Sequence, residues 1–242
     1  MPVGVIVSAL SIFLGGVFGT LGGRNMSDSF KNNLNMILGV CSMAMGIYSI
    51  SPMKNLSAVI FATILGTAFG LIIHLGKHVN NGAMLMQRGI SKVVKSSGTT
   101  LSEIEFNAEL VTVIVLFCVS GTGIYGSLTE GMTGDTSILI SKAILDFFTA
   151  AVFATNLGYV VSMIAVPEFI ILFALFAIAG VIYPLTTPTM ILDFKAVGGL
   201  LMVASGFRML KLKMFPTADM IPSMILIMPI SWIWTTWVAP ML

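Results

Sequence analysis

The sequence predicts an all-α fold, a bundle of about eight transmembrane helices forming one integral membrane domain over residues 1–242. Hydrophobic residues make up 57% of the 242 residues and charged residues only 9%, whereas a typical soluble domain is about 25% charged. Apolar runs also repeatedly reach the ~20 residues that a helix needs to cross a bilayer. Because so few charges could not cover a soluble protein of this size, we expect a multi-pass membrane protein.

Eight apolar stretches separated by polar connectors are the predicted spans. No basic residue precedes the first stretch, so a cleavable signal peptide is not expected. The spans are Val3–Leu21, Leu34–Ile50, Leu56–Leu75, Glu109–Tyr125, Ser137–Val166, Phe169–Tyr183, Phe194–Leu210 and Ala218–Val238.

The long connector over residues 76–107 is expected to be cytoplasmic and to carry a basic amphipathic helix. Apolar residues at helical spacing share one face and polar or basic residues the other, which is typical of a helix lying on an anionic membrane surface. The two faces are Ala83, Met86, Ile90, Val93 and Val94 against Gln87, Arg88, Lys92 and Lys95. Thr100 and Glu103 fit a capping box for the helix that follows.

The positions of Lys and Arg predict the orientation. One set of alternate connectors holds nine basic residues and the other only Lys54 and Lys195, so the first set should be cytoplasmic and both termini external. The nine are Arg24, Lys31, Lys77, Arg88, Lys92, Lys95, Arg208, Lys211 and Lys213. In the alternative, residues 110–146 form a re-entrant hairpin and seven spans remain. The count of basic residues on the two sides of the membrane then becomes seven against four.

The stretch over residues 120–156 is the best lead to function, because ionisable residues here enter apolar helices. Each costs roughly 2.5–3.5 kcal/mol near the bilayer centre. Its glycines are expected to loosen the fourth span and expose backbone to a wet pathway, the alternative being a plain outer loop. The residues assigned to this pathway are Ser120, Gly121, Thr122 and Gly123, with Glu130 and Asp135 at its outer mouth.

The fifth span, at thirty residues, must tilt, break or project from the membrane, and it carries a polar stripe. Lys142 and Asp146 lie four residues apart and can form an ion pair. The stripe either lines a solute pathway or merely lets the pair enter the bundle. Its members, at helical spacing, are Lys142, Asp146, Thr149, Phe153 and Asn156.

Two glycine patterns bear on the assembly. Gly15, Gly19 and Gly23, like Gly66 and Gly70, form small-residue ridges that serve either packing within the chain or a homo-oligomer interface. The second and third spans also resemble the seventh and eighth at an offset of 160 residues, matching Gly39 to Gly199, Ala44 to Ala204, Gly46 to Gly206 and Ala58 to Ala218. The units run in opposite senses, so the pattern indicates an inverted repeat (spans 1–3 versus 6–8) or chance similarity.

No constellation typical of an enzyme, a cofactor site or a nucleic-acid interface is present. His74 and His78 are four residues apart but have no evident third ligand, so no metal is expected. Cys41 and Cys118 both fall within apolar helices, where a disulfide is not expected.

The central motif VLFCVSGTGIYGSLTEGMTGDTSILISKAILDFFTA, with the later YPLTTPTM, DFKAVGGLL and KMFPTADMIPS, resembles the YqgA-type family and its YdfK-type relatives over nearly the whole chain. These are bacterial multi-pass inner-membrane proteins grouped as a domain of unknown function. The resemblance implies a protein of the bacterial plasma membrane with a role in transport, and it supplies neither a substrate nor active residues.

The sequence therefore favours a non-enzymatic transporter or channel for a small polar or ionic solute, passive or coupled to an ion gradient. Its expected partners are the lipid bilayer and the solute. The alternative is a non-transporting membrane scaffold that binds a partner protein. Flux through the reconstituted protein would separate the two.

Overall fold

The structure is a computed structural model that describes residues 1–22, 26–93 and 102–241. Helices make up nearly all of these residues, and no strand occurs among them. The helices are α1 (Val3–Gly22), α2 (Asp28–Ile50), α3 (Leu56–Ile72), α4 (Leu75–Val93), α5 (Glu103–Cys118), α6 (Gly121–Thr133), α7 (Ser137–Leu157), α8 (Val160–Met163), α9 (Ala165–Ile182), α10 (Pro188–Met209) and α11 (Pro222–Ile233).

The predicted all-α polytopic bundle is confirmed. Seven helical stretches in the described chain are long and apolar enough to cross a membrane, and the bent pair of α3 and α4 makes an eighth. Large apolar side chains such as Ile72, Ile170 and Val181 are exposed on the outside of the bundle. Lipid is the solvent that suits such a surface.

Several predicted boundaries differ from the observed ones, and the largest differences concern helix breaks. The fifth span ends at Leu157 rather than Val166, because Gly158 has φ +71° and ends α7 there. Val160–Leu185 is then a single span of 26 residues. The fourth span, Glu103–Thr133, is broken at Val119 and Ser120, directly before the first of its glycines, and α6 then stays helical from Gly121 to Thr133.

The connector helix α4 is amphipathic, but its apolar face packs against protein. Ala83, Met86 and Ile90 join an apolar cluster with Phe106 and Leu110 of α5. The capping box of α5 lies two residues after the predicted one, because α5 begins at Glu103 and Ser102 is its N-cap, paired with Glu105. Five residues named in the predictions lie outside the described ranges: Gly23, Arg24, Val94, Lys95 and Thr100. For Lys92 and Val93 the structure describes the backbone but not the side chain.

Close helix pairs organise the bundle: α1 packs on α7, α2 on α10, α3 on α11 and α6 on α9. The described ridge glycines lie in these contacts. Gly15 and Gly19 face the backbone of Phe147 and Ala151 in α7, and Gly66 faces Ser223 in α11. These contacts lie within one chain, which favours the packing alternative for the ridges. Because α1 packs on both α7 and α9, polar groups on the three helices can meet inside the bundle.

Candidate functional site

The centre of the candidate site is Lys142 of α7, which is almost completely buried. Its ammonium group contacts the Asp146 carboxylate one turn along the helix, so the pair predicted from the four-residue spacing is present. Lys142 also binds two groups that the sequence analysis did not assign. Its Nζ lies 2.8 Å from Glu168 Oε1 and 3.3 Å from Ser8 Oγ. The three hydrogens of the ammonium group therefore have three acceptors.

Glu168, in the first turn of α9, is the principal residue that sequence reasoning missed. Its side chain is fully buried. The Ser8 hydroxyl of α1 donates to Glu168 Oε1 at 2.8 Å, the same oxygen that binds Lys142. Glu168 Oε2 has no hydrogen-bond partner among the described residues. We call Ser8, Lys142, Asp146 and Glu168 the charged cluster.

The misplaced break between the fifth and sixth spans explains why Glu168 was overlooked. The predicted fifth span ends at Val166 and the sixth begins at Phe169, which places Glu168 in a connector. Gly158 ends α7 instead, and the next span begins at Val160, so Glu168 lies about two turns inside it. Gly158 was the available signal, because glycine readily adopts the positive φ that ends a helix.

A cavity of about 260 Å³ reaches the charged cluster from the end of the bundle where α10 finishes. Lys142 and Asp146 line its inner part, and Arg208 and Lys211 line it near the last turn of α10. Five of the predicted pathway residues line this cavity: Ser120, Thr122, Lys142, Asp146 and Thr149. Phe153, the apolar member of the stripe, also lines it. The cavity thus joins a basic end to a buried group of charges.

Three predicted pathway residues have other surroundings. Gly121 packs against Leu201 in α10, and Gly123 packs against the Lys142 side chain, so both serve close packing. Asn156 is exposed near the end of α7, where its amide donates to Glu109 at 3.4 Å. Gly121, Gly123 and Asn156 are not among the residues that line the cavity.

The two residues predicted at the outer mouth differ in their surroundings. Glu130 is buried, and its two oxygens accept from the backbone N–H groups of Gly4 and Val5 at 2.8 and 3.2 Å. It therefore caps the start of α1 and does not face solvent. Asp135 is partly exposed between α6 and α7.

Hydrogen bonds hold Asp135 in its ionised form. The Ser137 hydroxyl donates to it at 2.6 Å, and the Ser137 backbone N–H donates to the same oxygen. Lys195 lies 3.5 Å away. The hydrogen bond from the Ser137 side chain is the largest cause that lowers the pKa of Asp135, and the positive charge of Lys195 adds to it.

Two more carboxylates cap helix starts. Asp193, fully buried in α10, accepts from the backbone N–H groups of Lys54 and Asn55 at the start of α3. Asp219 accepts from the backbone N–H of Gly76 in the first turn of α4 at 2.7 Å. Carboxylates at these positions complement the positive end of a helix. No group of three or more His, Cys, Asp or Glu residues in the described ranges could hold a metal ion.

The fold and the charged cluster define the class: a multi-pass α-helical membrane protein with ionisable groups buried inside its bundle. The chain belongs to the family described as "Protein of unknown function (DUF554)", which matches residues 3–232. It is 43% identical over 239 residues to the uncharacterized protein YqgA of Escherichia coli, covering 99% of this chain and all of that one. It is 26% identical over 224 residues to the uncharacterized membrane protein YdfK of Bacillus subtilis, covering 92% of this chain and 93% of the relative. No solved structure matches the chain.

Proposed function

We propose that this chain transports a small polar or ionic solute across the bacterial plasma membrane. The observation that carries the proposal is the cavity, whose lining includes the buried Lys142 and Asp146 together with Arg208 in the last turn of α10. Each buried charge is costly to insert in a membrane, and replacing a buried ion pair by apolar residues is often neutral or stabilising. A cluster kept at the lining of a cavity is therefore better explained by contact with a solute than by stability.

The charges around the cavity favour an anion or a zwitterion among such solutes. Lys142, Arg208 and Lys211 contribute positive charge to the lining, and Asp146 contributes negative charge. Arg208 already binds the hydroxyl of Thr217, which holds its guanidinium group at the cavity wall. A volume of about 260 Å³ is just below the ~300–1,000 Å³ of drug-sized pockets, so the solute should be small.

Reciprocal glycine contacts support an inverted repeat. Gly39 of α2 faces the carbonyl of Gly206 in α10, and Gly46 faces that of Gly199. At the offset of 160 residues, Gly39 corresponds to Gly199 and Gly46 to Gly206. Gly39 therefore contacts the counterpart of Gly46, and Gly46 contacts the counterpart of Gly39. Such exchange is what a two-fold axis produces. Inverted repeats place transporter sites near the interface of the two halves, as the cavity between α2, α7 and α10 would be here.

We place both termini outside the cell, so that the cavity opens toward the cytoplasm. The excess of Lys and Arg on the Arg208 side supports this orientation. Single cysteines at Thr133 and Lys213, in a background without Cys41 and Cys118, test it. An impermeant thiol reagent applied to intact cells should label position 133 and spare position 213. The reverse pattern would invert the orientation and make the cavity open outward.

Solute flux in proteoliposomes tests transport itself, with a panel of inorganic anions, amino acids, small carboxylates and cations. Thr149→Val removes a hydroxyl from the cavity lining, and Thr155→Val is its matched control on the same helix. Both hydroxyls donate to a backbone carbonyl at 2.8 Å, but only Thr149 lines the cavity. We expect flux to fall in the first variant alone.

If the folded protein moves no panel member faster than empty liposomes, the non-transporting scaffold is the better explanation. If the two threonine variants transport at the same rate, the protein is still a transporter, but the cavity is not part of the solute's route.

A further inference from the structure

The charged cluster carries one more acidic group than basic group. Asp146 and Glu168 flank Lys142, which is the cation that salt-bridges both of them in the described part of the chain. If all three groups were ionised, the cluster would hold a net charge of −1 inside the bundle. An uncompensated charge in such a place is unstable and is usually removed by protonation or by binding a cation.

The titratable groups on the neighbouring helices do not remove this excess. Lys142 and Asp146 face Glu168 from α7, and Cys118 of α5 is close enough to interact electrostatically with all three. Cys118 contributes no positive charge. Glu130 of α6 accepts from the first turn of α1, about one turn away from Ser8. Its carboxylate adds negative charge on this side, although the start of α1 offsets it.

The two carboxylates have different surroundings, which indicate where a proton is held. Asp146 lines the cavity, and its ionised form contacts the Lys142 ammonium group. Glu168 is fully buried, does not line the cavity, and has an oxygen, Oε2, without a partner. A bare carboxylate oxygen in an apolar interior loses its hydration without compensation. A proton on Oε2 removes that charge.

We propose that Glu168 Oε2 is a proton-binding site that exchanges with the cavity through Lys142 and Asp146. A hydronium ion in the cavity gives its proton to the Asp146 carboxylate and leaves a water molecule. Lys142 gives one of its protons to Glu168 and takes the proton from Asp146, so that Glu168 becomes a neutral carboxylic acid. Lys142 then pairs with Asp146, and the cluster is neutral. When Glu168 releases its proton to water, Lys142 is shared between two carboxylates, as in the observed geometry.

The inference rests on the proposed transport function in one respect, since it makes the proton the coupling ion of that transport. A metal cation is a poorer occupant, because the Lys142 ammonium group already lies between the two carboxylates and would repel it. Proton binding is a property of the protein alone, so it can be tested without a known solute.

Infrared difference spectroscopy of the purified protein tests the site directly. A protonated carboxylic acid has a carbonyl band that a carboxylate lacks. We expect the wild type to show such a band, shifted in heavy water because the proton exchanges, and to lose it as the pH is raised. Glu168→Gln should lack this band, since glutamine is a neutral isostere of the protonated side chain.

Glu130→Gln is the matched control. Glu130 is also buried, but both of its oxygens accept backbone hydrogen bonds, so its ionised form is satisfied. The band should persist in this variant. No pH-dependent band in the wild type, or a band that survives Glu168→Gln, would overturn the proposal. The proposal would also be overturned if Na⁺, but not K⁺, stabilised the wild type at alkaline pH and this stabilisation were absent in Glu168→Gln.

Flux measurements separate this inference from the proposed function. If a solute is found, Glu168→Gln should lose uptake driven by a proton gradient and retain exchange of solute across the membrane. If the infrared band behaves as expected and no solute moves, the proton site stands and the transport proposal fails. Solute uptake that is gradient-driven and unchanged in Glu168→Gln would refute proton coupling at this residue.

Discussion

Lys142→Met is expected to be the most destabilising single substitution in the charged cluster. Lys142 is the cation shared by Asp146 and Glu168, and its Nζ lies 2.8 Å from the latter. Its removal leaves at least one buried carboxylate without a cation, whether or not Glu168 holds a proton. Breaking a buried ion pair in this way costs about 3–5 kcal/mol.

Removing either carboxylate should cost much less than removing the lysine. Asp146→Asn leaves the ion pair of Lys142 with Glu168, and Glu168→Gln leaves the pair with Asp146. In both variants the amide oxygen can still accept from Lys142. The expected loss is about 1 kcal/mol, which is the net contribution of one ordinary hydrogen bond. The asymmetry follows from one lysine serving two acids.

Unfolding of the purified variants in a single detergent, followed by circular dichroism, measures this order. Lys195→Met is the matched control, because Lys195 pairs with Asp135 at 3.5 Å where both side chains are partly exposed. Its loss should cost at most about 1 kcal/mol. The reasoning is refuted if Lys142→Met is no more destabilising than Lys195→Met, or if Asp146→Asn matches Lys142→Met.

The double variant Lys142→Met with Asp146→Asn connects stability to function. It removes Lys142 together with the Asp146 carboxylate that would otherwise lose its cation, so it should be more stable than Lys142→Met alone. Where it folds, we expect the double variant to reach the membrane and fail to transport, because the buried ion pair that lines the cavity is gone. Normal transport would exclude Lys142 and Asp146 from the site.

Two further predictions concern packing and pH. A Cβ at Gly46 would lie 2.6 Å from the Gly199 carbonyl, whereas a Cβ at the helical Gly180 would have no atom within 4 Å. Gly46→Ala should therefore destabilise the protein, and Gly180→Ala should stabilise it by about 0.5–1 kcal/mol. Equal shifts in the thermal unfolding temperature of the two variants would contradict this. The pKa of Asp135 is lowered in the folded state. Its contribution to stability is therefore present above the ordinary aspartate pKa and is lost as pH falls through the lowered value. Asp135→Asn should flatten the acid side of the curve of stability against pH, and an unchanged curve would show that Asp135 does not contribute.

Membrane span number was predictable from the sequence because a bilayer imposes a length on apolar runs. Helix breaks were harder to predict, since they depend on single residues. Gly158 and Gly123 look alike in sequence, yet one ends a helix at positive φ and the other lies inside α6, packed against the Lys142 side chain. Glycine permits both environments, so only the packing partner decides between them.

The candidate site was predictable only along a single helix. Lys142, Asp146 and Thr149 share a face of α7 by helical spacing, and all three line the cavity. Ser8 and Glu168 lie 134 residues before and 26 residues after Lys142. No periodicity connects positions so far apart on different helices. Their meeting follows from the packing of α1 against both α7 and α9, which one sequence does not specify.

The carboxylates of this protein differ in the groups that donate hydrogen bonds to them. This difference separates the carboxylates that cap helices from the one proposed to bind a proton. Glu130, Asp193 and Asp219 each accept backbone N–H groups where another helix begins. Their charge is offset by the helix they cap, so their role is accounted for by structure alone. Glu168 shares its lysine with Asp146 and leaves one oxygen without a partner. The unsatisfied oxygen is therefore the strongest reason to look for a proton at Glu168.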